Sequence, residues 1–314
     1  MGSRMKKLAL IVMVALSLAI IASGCAGEGA LEGGGEGGGA GGDAVVVGSA
    51  NFSEQLILGN MYAELLEDRG VSVERRLNIG SRDTLFPALE SGEITLVPEY
   101  TGALLVFRAE GEEEELKGSE PSQVTDRLRE ELPDGLVALD PAEAQNRGSL
   151  AVLPETAEEY ELETYSDLAE VADELAVGGP PEFPTRYSGL VGLQEVYGIE
   201  EFGEFRALDA GGPLTAEALS SGQIDVARVF TTQGVIKDQG WVVLEDDKNM
   251  ELAQNIVPVI REPALTDEIQ SALNELSAGL TTENLISLNE RVEVDREDPE
   301  DVAREYLQEN GLIE

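Results

Sequence analysis

Past residue 43 the chain alternates short apolar runs with stretches in which apolar residues recur at helical spacing. The run at 44–49 (AVVVGS) is β-branched and reads as a strand. Leu58, Tyr62, Leu65 and Leu66 then fall on one helical face, and Gly70 closes that helix. Further strands are predicted at 71–79, 94–97, 136–139, 150–153, 175–178, 205–208, 224–230, 241–244 and 256–260. Helices lie between them, for example at 82–89, 122–132, 166–172 and 214–220, and the tail from about Thr266 is helical with no further strand. Strands alternating with helices imply parallel sheet and an α/β class. Two polar residues stand at predicted helix starts: Asn51, with Glu54 three places on, and Ser81. Both read as helix caps, and a cap beside a cleft also turns backbone N–H groups toward an anion.

The first 43 residues follow a different pattern. Arg4, Lys6 and Lys7 precede an uncharged apolar run over 8–21. That run is shorter than the roughly 20 residues of a membrane span and suits the core of a signal peptide. ASGC at 22–25 holds the one Cys of the chain and resembles a bacterial lipobox, with Ala22 where Leu is usual. The expectation is a lipoprotein signal peptide over 1–24, a lipid on Cys25 and a Gly-rich tether over 25–43. The folded part would then sit at the outer face of the cell membrane, touching it through the lipid alone. The other reading is an uncleaved anchor with a free Cys.

Charge and composition narrow the chemistry. The chain of 314 residues carries 62 Asp and Glu against 21 Lys and Arg, a formal charge of −41. So acidic a protein does not grip nucleic acid or an anionic membrane by its charge. There is no His, which removes a Ser-His-Asp triad, a His base and His metal ligands. A single Cys removes an internal disulfide and Cys-based zinc sites. No Walker A, HExxH or EF-hand loop occurs, so the expectation is a protein that is not an enzyme. The acidic run at 110–115 reads as a solvated loop or helix end.

A set of short motifs carries a family resemblance. GSANFSEQLILGNMY (48–62), GSRDTLFPALESG (80–92) and VPEYTG (97–102) are followed by IDVA (224–227), Thr231-Thr232 and LEDDK (244–248). LTTENL (280–285), LNERV (288–292) and VAREYLQENGL (302–312) complete it. In this order they resemble the substrate-binding proteins of glycine betaine/choline/carnitine ABC transporters, over about 45–314. The resemblance implies a type II periplasmic-binding-protein fold, two α/β lobes flanking a ligand cleft and joined by two crossing segments. One lobe would hold 44–148 plus 256–314, the other 149–255. It implies a small-molecule solute such as a quaternary ammonium osmoprotectant, an ABC permease with its ATPase subunit as partners, a monomer, no cofactor and no metal. A binding protein for another polar or zwitterionic solute, or a ligand-sensing module, are the alternatives.

The resemblance also implies a cage of tyrosines and an Arg, since a trimethylammonium group has no N–H and is held by aromatic faces. Tyr100 keeps its ring, and Phe230 keeps a ring without the hydroxyl. Gly148 and Gln254 stand where two further rings are expected. Arg186 fits the carboxylate-binding Arg. Asn51, Phe52, Ser81, Thr101, Asn146 and Thr231 complete the expected ligand-binding set, and Gln233 and Asn255 offer polar contacts. Read from the residues alone, Tyr100 and Phe230 suit the core at a strand end as well as a pocket, and Trp241 suits the core.

Overall fold

The computed structural model describes residues 44–109, 118–209 and 211–314. Cys25, its tether and the acidic run at 110–115 lie outside the described residues. The strands, in chain order, are β1 (Val45–Ala50), β2 (Val73–Gly80), β3 (Leu96–Tyr100), β4 (Leu136–Ala138), β5 (Gly148–Val152), β6 (Ala176–Gly179), β7 (Glu204–Ala207), β8 (Val226–Phe230), β9 (Val242–Val243) and β10 (Ile256–Arg261). The α-helices are α1 (Ser53–Asp68), α2 (Arg82–Ser91), α3 (Thr101–Arg108), α4 (Pro121–Glu131), α5 (Pro154–Tyr160), α6 (Tyr165–Leu168), α7 (Pro213–Ser220), α8 (Gly234–Gln239), α9 (Asp267–Gly279), α10 (Thr282–Glu293) and α11 (Pro299–Glu309). None of the described helices is long and apolar enough to cross a membrane.

Two five-stranded sheets organise two lobes, in the order β2-β1-β3-β10-β4 and β7-β6-β8-β5-β9. The expected parallel pairing holds for β2-β1-β3 and for β7-β6-β8. It fails at β10 and β5, which run antiparallel to β3 and β8. Both follow a crossing between the lobes, so neither is reached through the helical crossover that makes a neighbour parallel.

Helices cover both faces of each sheet, and the apolar patterning explains their seating. On α1, Ile57, Leu58, Met61, Tyr62, Leu65 and Leu66 are all buried, a helical stripe against the first sheet. Leu85, Phe86 and Leu89 of α2 close the opposite face. In the second lobe Tyr165, Leu168 and Leu193 fill one face, and Leu219, Ile236 and Trp241 the other. Each such side chain is worth about 1.5–3 kcal/mol of burial.

Two crossing segments run side by side. Gln145 and Asn255 form an antiparallel bridge. Asn146 N–H donates to the Gln254 carbonyl at 3.1 Å, and Ile256 N–H to the Ala144 carbonyl at 3.1 Å. Thr101 and Thr231 secure this hinge from either side. Thr101 Oγ1 donates to the Ala253 carbonyl and accepts Asn255 N–H. Thr231 Oγ1 accepts Arg147 N–H at 3.0 Å. A separate contact links the lobes where α8 meets α10: a Cβ on Gly234 would lie 2.3 Å from the Glu290 backbone, so only glycine permits that approach.

Candidate ligand-binding cleft

Parallel strands aim their carboxyl ends at one place, and loops there collect the chemistry. β1 ends before Asn51 and Phe52, β2 before Ser81, β3 ends on Tyr100 and β8 on Phe230. All of these residues line one open cleft of about 1210 Å³ between the lobes. Asn146 and Gln254, from the two crossing segments, line it as well.

The wall from the first lobe centres on Glu54. Its carboxylate is buried and accepts the Tyr100 hydroxyl at 2.6 Å, Asn146 Nδ2 at 2.9 Å and Asn289 Nδ2 at 2.7 Å. Asn289 also donates to the Thr232 carbonyl of the other lobe. Burial and the adjacent Glu54 carboxylate push the Tyr100 phenol well above its ordinary value, so it remains a donor. Phe52 stacks on Tyr100 with centroids 6.3 Å apart and planes 20° apart. Phe52 is 44% exposed and Phe230 37% exposed, so both present open ring faces in the cleft. Arg82, on the same wall, grips the buried Glu99 through three hydrogen bonds, Nε to Oε1 at 2.9 Å and to Oε2 at 3.2 Å, and Nη2 to Oε2 at 2.7 Å. Burial works against the Arg82 charge, and Glu99 more than offsets it, raising the Arg82 pKa. Glu293, at the rim, accepts Gly234 N–H; burial and the nearby Glu54 raise its pKa.

The wall from the second lobe holds Gly148, Arg228 and Glu251. Arg228 Nη2 donates to Glu251 Oε1 at 2.7 Å, with both side chains under a tenth exposed. Burial raises the Glu251 pKa, and Arg228 counters part of that rise.

Of the expected set, Asn51, Phe52, Ser81, Tyr100, Asn146, Phe230 and Gln254 come together here. Thr101 and Thr231 do not line the cleft, because their hydroxyls are spent on the hinge. Asn255 is likewise in the hinge, its Nδ2 donating to the Ala142 carbonyl. Arg186 is exposed and outside the lining. After β6 the chain makes a 3-10 turn at Phe183–Thr185, where Phe183 anchors in the core; Arg186 leaves that turn on the outside, and Ser188 is the residue of the segment that reaches the cleft. Trp241 is core. The expected capping is also different. α1 begins at Ser53 with Phe52 at the cap position, and no side chain caps it; Asn51 lies one residue earlier. Glu54 turns inward to the cleft instead of back to a cap. Ser81 does occupy the cap position of α2, but its hydroxyl meets Asp83 rather than a backbone N–H.

From the sequence Glu54 reads only as a capping partner and Arg228 not at all as a cleft residue, though both leave a trace. Glu54 lies four and seven residues before Leu58 and Met61, on the apolar face of α1. Arg228 interrupts the otherwise apolar strand VARVF. A charge placed inside an apolar stripe is a charge that needs a buried partner.

A two-lobed α/β protein with open ring faces and paired charges at its strand ends is built to hold a small solute, and no nucleophile-base pair occurs among the described residues that line the cleft. A family model described as the substrate binding domain of ABC-type glycine betaine transport system matches residues 43–309, and the chain belongs to that family. It is a solute-binding protein and not an enzyme, and proteins of this class work outside the cytoplasm. It is 32% identical over 281 residues to the glycine-betaine-binding protein of Pseudomonas aeruginosa, covering 85% of this chain and 88% of that one. It is 31% identical over 274 residues to the ergothioneine transport permease/ergothioneine binding protein of Helicobacter pylori, covering 85% of this chain and 48% of that longer one. Among solved structures, a glycine betaine/carnitine/choline ABC transporter protein superimposes with a TM-score of 0.76 at 26% identity, covering 86% of this chain and all of that one.

Proposed function

We propose that this chain captures a betaine-class osmoprotectant, of the glycine betaine/choline/carnitine kind, between its lobes and delivers it to an ABC permease driven by an ATPase subunit. The lobes are 44–148 with 256–314, and 149–255. The protein acts as a monomer, tethered by residues 25–43 from a lipid on Cys25. The observation that carries the reading is the exposed ring of Phe52 stacked on Tyr100, with a second exposed ring, Phe230, reaching the same cleft from the other lobe. An apolar ring left facing solvent in a cavity loses burial free energy that a methylated ammonium restores, and cation–π attraction adds up to about 2 kcal/mol per desolvated ring. The Glu54 carboxylate, met by neutral donors, stands behind Tyr100, on which Phe52 stacks. Asn51, Ser81, Asn146 and Gln254 supply the polar contacts around them. Ligand touching both lobes favours the closed form, by no more than its differential affinity for it.

A second reading, a different small zwitterion, is favoured by Gly148 and Gln254 standing where the family resemblance places rings. Calorimetric titration separates the two. Glycine betaine, choline or carnitine should bind below about 1 mM, while glycine, which has the carboxylate without the methyl groups, should not. Binding of glycine with none of the three quaternary amines would overturn the betaine reading.

A further inference from the structure

Gly148 is glycine for want of space. Its backbone does not need the left-handed region, yet a Cβ there would lie 1.8 Å from Arg228 Nη2 and 2.5 Å from Arg228 Cζ. A side chain at 148 therefore excludes the Arg228 guanidinium from the position in which Glu251 holds it. Where a ring would have closed this wall, the protein has placed a guanidinium. Gly148 pairs with Phe230 across β5 and β8, and Arg228 is two residues before Phe230. Residues two apart on a strand share a face and sit about 7 Å apart, so the guanidinium and the ring are neighbours on one side of the second sheet.

The guanidinium is fixed. Glu251 holds Nη2 at 2.7 Å, and the Glu251 N–H in turn donates to Asp246 Oδ2 at 2.8 Å. A guanidinium carries five N–H groups, and one bond to Glu251 leaves donors on a side chain that lines the cleft. Such a wall repels a trimethylammonium group and attracts a carboxylate. On the opposite wall the patch with Glu54 behind Tyr100 and Phe52 has the reverse preference, and the guanidinium on that wall, Arg82, is bound through both Nε and Nη2 to Glu99.

The geometry points to Arg228 as the specificity-determining residue of this cleft. It receives the carboxylate end of a zwitterion whose quaternary ammonium rests on the Phe52 and Tyr100 side. This rests on the betaine reading and deepens it: the cleft selects betaines that end in a carboxylate over choline, which has the same head and a neutral hydroxyl at its other end.

The test is the ratio of choline Kd to glycine betaine Kd, by calorimetric titration of the purified protein and its variants. Wild type should favour glycine betaine at least tenfold. Arg228→Gln combined with Glu251→Gln removes both charges together, so no buried charge is left alone. It should bring the ratio to within about threefold of one by weakening glycine betaine, with choline little changed. Gly148→Ala keeps both charges and displaces the guanidinium; it should lower the ratio in the same direction, and it serves alone if the double variant does not fold. A ratio that stays at the wild-type value in a folded variant overturns the role of Arg228 and leaves the betaine reading standing. A wild type that favours choline overturns it as well. A wild type that binds no quaternary amine overturns the betaine reading, and this inference falls with it.

Discussion

Two buried carboxylates on opposite walls of the cleft, Glu54 and Glu251, are answered differently. In the first lobe Glu54 meets a phenol and two amides, all neutral donors. In the second, Glu251 meets a guanidinium. Neutral donors satisfy the oxygens and leave the negative charge in place. A guanidinium cancels that charge and leaves its own spare donors facing outward. The same residue type therefore makes the Glu54 patch cation-seeking and the Glu251 patch anion-seeking, while Arg82 on Glu99 gives the first wall a guanidinium of its own. Charge alone does not describe a site in so acidic a chain; what each carboxylate is bonded to does.

The largest effect is expected at Glu54. Glu54→Ala leaves the Tyr100 hydroxyl and two amides without their acceptor, at a cost of about 3 kcal/mol of unfolding free energy, since each buried orphan costs about 1–3 kcal/mol before relaxation. Chemical denaturation measures this. Glu54→Gln keeps an acceptor and loses the charge, so it should recover more than half of that stability while still binding choline more weakly than wild type. Equal choline affinity in Glu54→Gln would mean that the field of the first wall does not matter.

A graded binding series sharpens the same contrast. Tyr100→Ala removes a ring and should weaken a quaternary amine at least tenfold, about 1.4 kcal/mol. Tyr100→Phe keeps the ring and loses one bond to Glu54, so its loss should be smaller. Arg186→Ala, on the outer side of its turn, should change affinity less than twofold. A tenfold loss at Arg186 would show that the segment after β6 turns inward when ligand binds.

Much of this arrangement was readable from the sequence, for physical reasons. The β-branched runs mark strands because those strands are buried, as in β1, where five of the six residues from Val45 to Ala50 are buried. Their ends mark the cleft because parallel strands end on one side, which is why Tyr100, Phe230, Phe52 and Ser81 all line it. Pairing direction was not readable at β5 and β10, since a crossing between lobes leaves no trace in hydrophobic period. The position of Arg186 outside the cleft lining is not legible, because a short 3-10 turn decides which way it points, and that depends on Phe183 finding the core. The exclusion between Gly148 and Arg228 joins residues 80 positions apart in the chain and shows only in three dimensions.

The claim at the centre is a cleft with one end for a cation and the other for an anion. The most direct measurement is a crystal structure of the protein with glycine betaine bound. The account predicts the quaternary nitrogen within about 6 Å of the Tyr100 or Phe52 ring centroid and the carboxylate at hydrogen-bond distance from Arg228. A ligand lying the other way round, or one that leaves Arg228 untouched, would contradict it.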